Sequence, residues 1–322
     1  MPNSPSEQGL IKLSIGDVIT AAIRIYRDHF KPYWQQAAIA YIWIGVGVIA
    51  SLLLLGVATA IASILGDIIG SLVFLAAFIA AIPLWAYCGA KYSAAQAVLA
   101  RVAYFEVAEQ PESMPAARIQ VMPRFWRFFW ANLIVGALLF LTVIALFTVG
   151  GVLVGVFYLL FAASFADNVN LVTTFLAALA FWLLFLSAIF CYIYIFSRLA
   201  LTDVSLAIEP RLTSTGAFKR SWALTKGYIF SLQLIFLIAF LITIPFWVIS
   251  NVGGLISLVM GLPNEVATIF NLPWGLIIGS LLVPFWQGIK AMVYYDLRTR
   301  EEGRYLSLEN LPLMDSDPDS KP

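Results

Sequence analysis

Charge is scarce in this chain: Asp, Glu, Lys and Arg make up 11% of its 322 residues, whereas hydrophobic side chains make up 61%. So little polar surface cannot cover a water-soluble domain of this length. Together with a mean hydropathy of +0.91, this is the composition of an all-α integral membrane protein. Histidine is almost missing, His29 standing alone, and there are only two cysteines. One imidazole and two thiols in separate apolar segments cannot supply the three or four ligands of a protein zinc site. Cys88 and Cys191 fall toward the basic ends of their segments, where a cytoplasmic placement keeps thiols reduced, and no disulfide is expected. The chain has no His-Glu-x-x-His, no Ser–His pairing and no glycine-rich lysine loop, and no two carboxylates share an apolar segment. Neither a catalytic residue nor a cofactor is expected, and the chain does not read as an enzyme. A net charge of +1, with no block of Lys and Arg interleaved with aromatics, argues against a nucleic-acid partner. Residues 1–10 are polar and lack a basic n-region, so a cleaved signal peptide is not expected and the first span should direct insertion.

What the chain does have is long uncharged runs, at residues 32–66, 68–90, 128–166, 168–197, 227–264 and 266–289. A helix crossing about 30 Å of hydrocarbon needs roughly 20 residues, so each run can hold one span. Long and short runs alternate, and a single acid separates the members of each pair: Asp67, Asp167 and Glu265. The pattern predicts six transmembrane helices arranged as three hairpins with acidic tips. All 19 Lys and Arg residues fall between or outside the hairpins, none at a tip. By the positive-inside rule both termini are cytoplasmic. The longer runs exceed one span, so residues 128–130 and the stretch after Gly253-Gly254 are expected at an interface.

Each hairpin follows a mixed apolar and basic segment of helical periodicity. In the first, Ser14 is a candidate cap. Ile15, Val18, Ile19, Ala22, Tyr26 and Phe30 share one face, opposite Asp17, Arg24, Asp28 and Lys31. The third, residues 213–230, sets Ala217, Phe218, Trp222 and Tyr228 against Lys219, Arg220 and Lys226. The second, residues 117–130, is weaker and is broken by Pro123. Such helices are expected in the interface plane, where Arg24, Arg27, Lys31, Lys219, Arg220 and Lys226 are candidate contacts to lipid headgroups, anionic ones above all. The organisation is then an N-terminal segment with its interfacial helix (1–34), a membrane domain (35–298) with interfacial helices near 117–130 and 213–230, and a cytoplasmic tail (299–322). Asp, Ser and Pro make that tail too polar to bury a core beyond Met314.

Inside the membrane domain, Lys290 and its helical neighbour Gln287 form the candidate intramembrane polar site, because an ionisable group flanked by apolar residues is functional by default. The bland alternative is a lysine stem lying along apolar surface with its ammonium lifted to the headgroups. His29 reads as a tolerated interfacial residue. Asp296 with Arg300, and Arg298 with Glu302, have i, i+4 spacing in a helical turn expected to end at Gly303. Asn132, Ser187 and Gln233 are single polar groups expected to bond to neighbouring helices.

Three stretches carry a resemblance: Leu13-Ser14-Ile15-Gly16-Asp17, then Ala217-Phe218-Lys219-Arg220-Ser221-Trp222-Ala223-Leu224-Thr225-Lys226-Gly227, and Tyr294-Tyr295-Asp296-Leu297-Arg298-Thr299-Arg300-Glu301-Glu302-Gly303. Together they resemble the membrane domain found in some bacterial glycerophosphoryl diester phosphodiesterases and in many stand-alone proteins. The likeness covers most of the chain and is most specific at the last stretch. It implies the same membrane domain in a bacterial-type plasma (inner) membrane. That family's phosphodiesterase activity resides in a separate soluble barrel with catalytic His and acidic residues. No soluble stretch here is long enough to form that barrel, so the resemblance implies no catalytic residue.

Two functions fit these features. One is a non-enzymatic, lipid-contacting scaffold or accessory module for an unidentified protein partner. The other is a transporter or lipid-translocating protein built from three hairpin repeats, in which Gly150-Gly151 and Gly253-Gly254 break helices near the outer face. A polar cavity between hairpins would favour transport, and a packed interior would favour the module. The orientation is tested by single cysteines placed beside Asp67, Asp167 and Glu265. These should react with an impermeant thiol reagent in intact cells, and labelling beside Arg118 or Arg211 instead would reverse the topology.

Overall fold

The structure, a computed structural model, describes residues 15–164, 171–261 and 263–309. Ser14, Asp167 and the tail beyond residue 309 lie outside the described residues, as does the side chain of Glu265. Among the described residues every regular element is helical: α1 (Ile15–Asp28), α2 (Phe30–Leu65), α3 (Asp67–Val107), α4 (Met114–Val121), a 3₁₀ turn (Met122–Arg124), α5 (Phe125–Ser164), α6 (Leu171–Leu199), α7 (Thr202–Ile208), α8 (Ser214–Leu224), α9 (Ile229–Ser250), α10 (Val252–Met260) and α11 (Asn264–Glu309). Among the described residues six helical segments are long and apolar enough to cross a membrane: Phe30–Leu65, Asp67–Val107, Met114–Val156, Ala178–Ile208, Ile229–Ser250 and Asn271–Glu301. The protein is therefore a multi-pass, all-helical membrane protein.

The core sits at one end of the helices, the end that carries the Lys and Arg residues. Val98 and Leu99 of α3, Val121 of α4, Leu201, Val204 and Leu206 at the α6–α7 corner, and Ile289 and Tyr294 of α11 are buried there together. Away from this basic end the helices turn apolar side chains outward, as at Leu52, Phe147 and Phe190. None of the most apolar stretch of the third or fourth spanning segment is buried against protein, whereas 56% of that of the sixth is. Hence α11 is the central helix, packed on α1, α2, α3, α9 and α10, while the most apolar stretches of α5 and α6 are left for lipid to cover.

Local chemistry sets the breaks. Gly66 joins α2 to α3 at φ +82, a left-handed conformation that glycine adopts without steric cost. Asp67 then begins α3, an acid where the helix dipole favours one. One turn on, Gly70 lets the two backbones meet, since a Cβ there would lie 2.9 Å from the carbonyl oxygen of Ala62. The short helices α4 and α8 are capped alike, Ser113 Oγ accepting from the Ala116 N–H and Thr213 Oγ1 from the Gly216 N–H.

Several sequence expectations shift. The periodic stretch 213–230 is α8 ending at Leu224 and, past Gly227 at φ +88, the first turn of α9. Residues 117–130 are shared by α4, the 3₁₀ turn holding Pro123, and α5. Helix α5 runs unbroken through Gly150 and Gly151. The interruption near Gly253-Gly254 falls instead at Asn251, between α9 and α10. Gly303 lies inside α11, which continues to Glu309 because neighbouring ion pairs and aromatic contacts hold the turn before it. Ser187 donates to Leu184 of its own helix. The apolar face of α1 (Val18, Ile19, Ala22) is buried on protein, with Ala22 packed on Gly288 of α11. Since backbone blocks any added group at Gly70, Gly70→Val should lower the thermal midpoint in detergent by the equivalent of about 1–3 kcal/mol. Gly56→Val, where an added Cβ would meet no neighbouring element within 4 Å, should change it far less.

Candidate functional site at the basic end

Helix α11 presents Gln287 and Lys290 on one face, three residues apart, and both point inward. Directly beyond α6, the two-turn helix α7 brings Asp203 to meet them. The Lys290 ammonium donates to Asp203 Oδ2 at 2.9 Å, and the Gln287 amide donates to Gln96 Oε1 at 3.1 Å and to Asp203 Oδ2 at 3.4 Å. The line of polar side chains continues from Gln96 to Tyr92, one turn away on α3, and from Tyr92 to Tyr41 on α2, whose rings meet edge to face at 5.6 Å. Tyr41 closes it against α11, where a Cβ on Gly279 would collide with its ring. The Lys290 side chain is 20% exposed and is held by its partner. It pairs inward where a snorkelling lysine would reach for headgroups. Gln287 is buried, and its Oε1 has no partner.

Around this chain the short helices are tied down by charge. Three arginines reach the carbonyls at the end of α7: Arg101 that of Ala207 at 2.8 Å, Arg124 that of Leu206 at 3.4 Å, and Arg127 that of Pro210 at 3.3 Å. Cations are favoured at such a C-terminal helix end. Arg101 also binds Glu112 at 2.8 Å. Past α7, Glu209 accepts from the Tyr294 hydroxyl and from Arg220 Nε, and Arg220 continues to Glu301 at 2.9 Å. Burial alone would lower the Arg220 guanidinium, but Tyr294, Glu209 and Glu301 outweigh it and hold it above its usual value. Arg198 donates to the Trp222 carbonyl at 2.8 Å with its guanidinium over the Trp222 ring, fastening α8 to the end of α6. Glu106 on α3 takes His29 Nδ1 at 2.8 Å and the Tyr33 hydroxyl at 2.9 Å, so His29 is a structural tie and not merely tolerated. On α1, burial pushes the Tyr26 phenol up to about 12.

The candidate headgroup contacts separate into two groups. Arg24 and Arg27 are about three-quarters exposed, each near Asp28, and Lys31, Lys219 and Lys226 are exposed. Arg220 is not available: it is engaged by two carboxylates. The Asp296–Arg300 pair forms at 2.7 Å. Arg298 turns to the Tyr104 hydroxyl at 3.2 Å, and the side chain of Glu302 lies outside the described residues. Sequence reasoning passed over Asp203, Glu209, Glu106 and Gln96. Asp203 had a signal, as the lone charge within the run Leu199-Ala200-Leu201-Thr202-Asp203-Val204-Ser205-Leu206.

Chemically, each of these carboxylates is taken up by a cation, a tyrosine or both. Among the described residues no three His, Cys, Asp or Glu side chains converge. The arrangement fixes helices to one another. No family model matches the chain, and neither a curated protein nor a solved structure does. Removing one member of the central pair should be costly. Lys290→Met or Asp203→Asn is expected to destabilise the detergent-solubilised protein by about 3 kcal/mol, whereas the double change Lys290→Met with Asp203→Leu should recover most of that loss, because breaking a buried pair costs more than replacing it. Equal thermal midpoints for single and double variants would show that the pair does not hold α7.

Proposed function

We propose that this chain is a non-catalytic, lipid-contacting membrane module that serves as scaffold or accessory to a protein partner, lying in a bacterial-type plasma membrane with both termini cytoplasmic. Its layout is three hairpins, α2–α3, α5–α6 and α9–α11, introduced by the amphipathic helices α1, α4 and α8. The resemblance to the membrane domain of glycerophosphoryl diester phosphodiesterases favours the same layout.

The observation that carries this reading is the direction in which the short helices face. Val18, Ile19 and Ala22 of α1, Ala117 and Val121 of α4, and Ala217 and Leu224 of α8 are buried on protein. Arg24 and Arg27 of α1 and Lys219 of α8 are left outside on helices docked by their apolar faces, and Lys226 is exposed in the turn just past α8. A docked helix with an outward basic face suits recognition of an anionic surface, each cation near such a surface contributing about 1 kcal/mol. The transport reading needs a polar cavity near the membrane midplane. The groove of about 410 Å³ between α5 and α6 is walled by side chains such as Val143, Phe147, Val154, Phe181 and Leu184, and the polar chain from Tyr41 to Lys290 is packed helix to helix.

The test uses the full-length protein in nanodiscs of mixed phosphatidylglycerol and phosphatidylcholine, with spin-labelled lipids reporting selectivity. Wild type should prefer phosphatidylglycerol, and the quadruple variant Arg24→Gln, Arg27→Gln, Lys219→Gln, Lys226→Gln should lose most of that preference with its thermal midpoint unchanged. Equal selectivity in the two proteins would remove the lipid-contact role. Saturable solute flux in proteoliposomes, absent from empty vesicles, would replace the module with the transporter.

A further inference from the structure

One cation at the basic end has neither a carboxylate nor any other acceptor within hydrogen-bond reach among the described residues, and it is none of the headgroup contacts considered so far. Lys91 lies on α3 one turn after Tyr87, and its Nζ sits 4.1 Å from the ring centre of Phe125, 5.6 Å from that of Tyr87 and 5.9 Å from that of Trp43. The three rings come from α5, α3 and α2. They brace each other edge to face, Trp43 on Tyr87 at 5.7 Å and Tyr87 on Phe125 at 5.9 Å. The lysine is therefore held in a fixed cup made by three helices. Such rings attract an ammonium through their faces, but they accept none of its three N–H bonds in the manner of an anion.

The surroundings say which anion is at hand. Tyr87 is 41% exposed, and Trp85, Trp126 and Trp130 are exposed beside it on α3 and α5. Aromatic side chains in that position mark the headgroup level of a bilayer. Lys91 is also the first charge after the uncharged run of α3. At that depth the abundant acceptor is the phosphate of a lipid, whose acyl chains would run along the exposed apolar side chains of α2, α3 and α5. The cup does not suit a quaternary ammonium group, because the protein's own cation already fills it.

We propose that Lys91, positioned by Trp43, Tyr87 and Phe125, is a specific site for the phosphate of an anionic phospholipid. This rests on the lipid-contacting reading above but concerns a different residue and a single bound lipid. The ammonium supplies charge-assisted hydrogen bonds to the phosphate oxygens, and the rings keep it from lifting into water.

The experiment is native mass spectrometry of the full-length protein, released from nanodiscs containing phosphatidylglycerol and phosphatidylcholine. Wild type should keep one phosphatidylglycerol through delipidation steps that strip the rest. Lys91→Gln should lose that lipid, with occupancy falling at least tenfold, Lys91→Arg should keep it, and Phe125→Leu should reduce its occupancy several-fold. A thermal midpoint for Lys91→Gln like that of wild type shows that the fold is intact, and the Lys91→Arg comparison stands even if it is not. Equal retention by wild type and Lys91→Gln overturns the proposal. Displacement of the lipid by excess inorganic phosphate overturns the lipid assignment in favour of a free anion. If the quadruple surface variant loses its selectivity while Lys91→Gln keeps its lipid, this site fails and the scaffold reading stands.

Discussion

Within a bilayer a charge has no water to turn to, and at the basic end of this protein several charged side chains find their partners on another element. Lys290 of α11 finds Asp203 of α7, Arg101 of α3 finds the end of α7, and Arg220 of α8 is held between Glu209 and Glu301. Apolar contact cannot do this sorting, because a leucine is as well covered by lipid tails as by another leucine. Where polar ties are many, the helices are buried and the order of neighbours is fixed. Where they are few, as along the outer reaches of α5 and α6, the helices expose their side chains.

The spans were legible in the sequence because the absence of charge over some twenty residues is an unambiguous signal. Periodicity likewise marked Val18, Ile19 and Ala22 as one face of α1. It could not say what would cover that face, and the structure sets it on α11. Lys290 and Gln287 stood out as ionisable and polar groups among apolar ones. Their partner did not, because Asp203 is 87 residues away in the chain and only the path of α6 brings it near. Arg220 read as a free cation from its helical face, since Glu209 and Glu301 reach it from other elements. Glycine pairs misled for a related reason: a helix surrounded by lipid has no competing donor to break it at Gly150, so α5 continues.

Helix α11 is the common member of these ties. It receives Trp34 Nε1 of α2 at Ser280 Oγ, Tyr41 at Gly279, Gln96 at Gln287, Asp203 at Lys290, Glu209 at Tyr294 and Arg220 at Glu301. Of the short helices, α1, α7 and α8 pack on this same element, whereas α4 is held by α3.

Every partner of α11 named above precedes it in the sequence. While the earlier helices are already in the membrane and α11 is still being synthesised, Asp203, Gln96 and Glu209 have no partners on it. A nascent or truncated chain would present a carboxylate and an amide to lipid at the very surface that becomes the centre of the mature fold. Burial of these groups therefore waits on the docking of α11, and until then the surface that receives it is the least lipid-tolerant on the molecule.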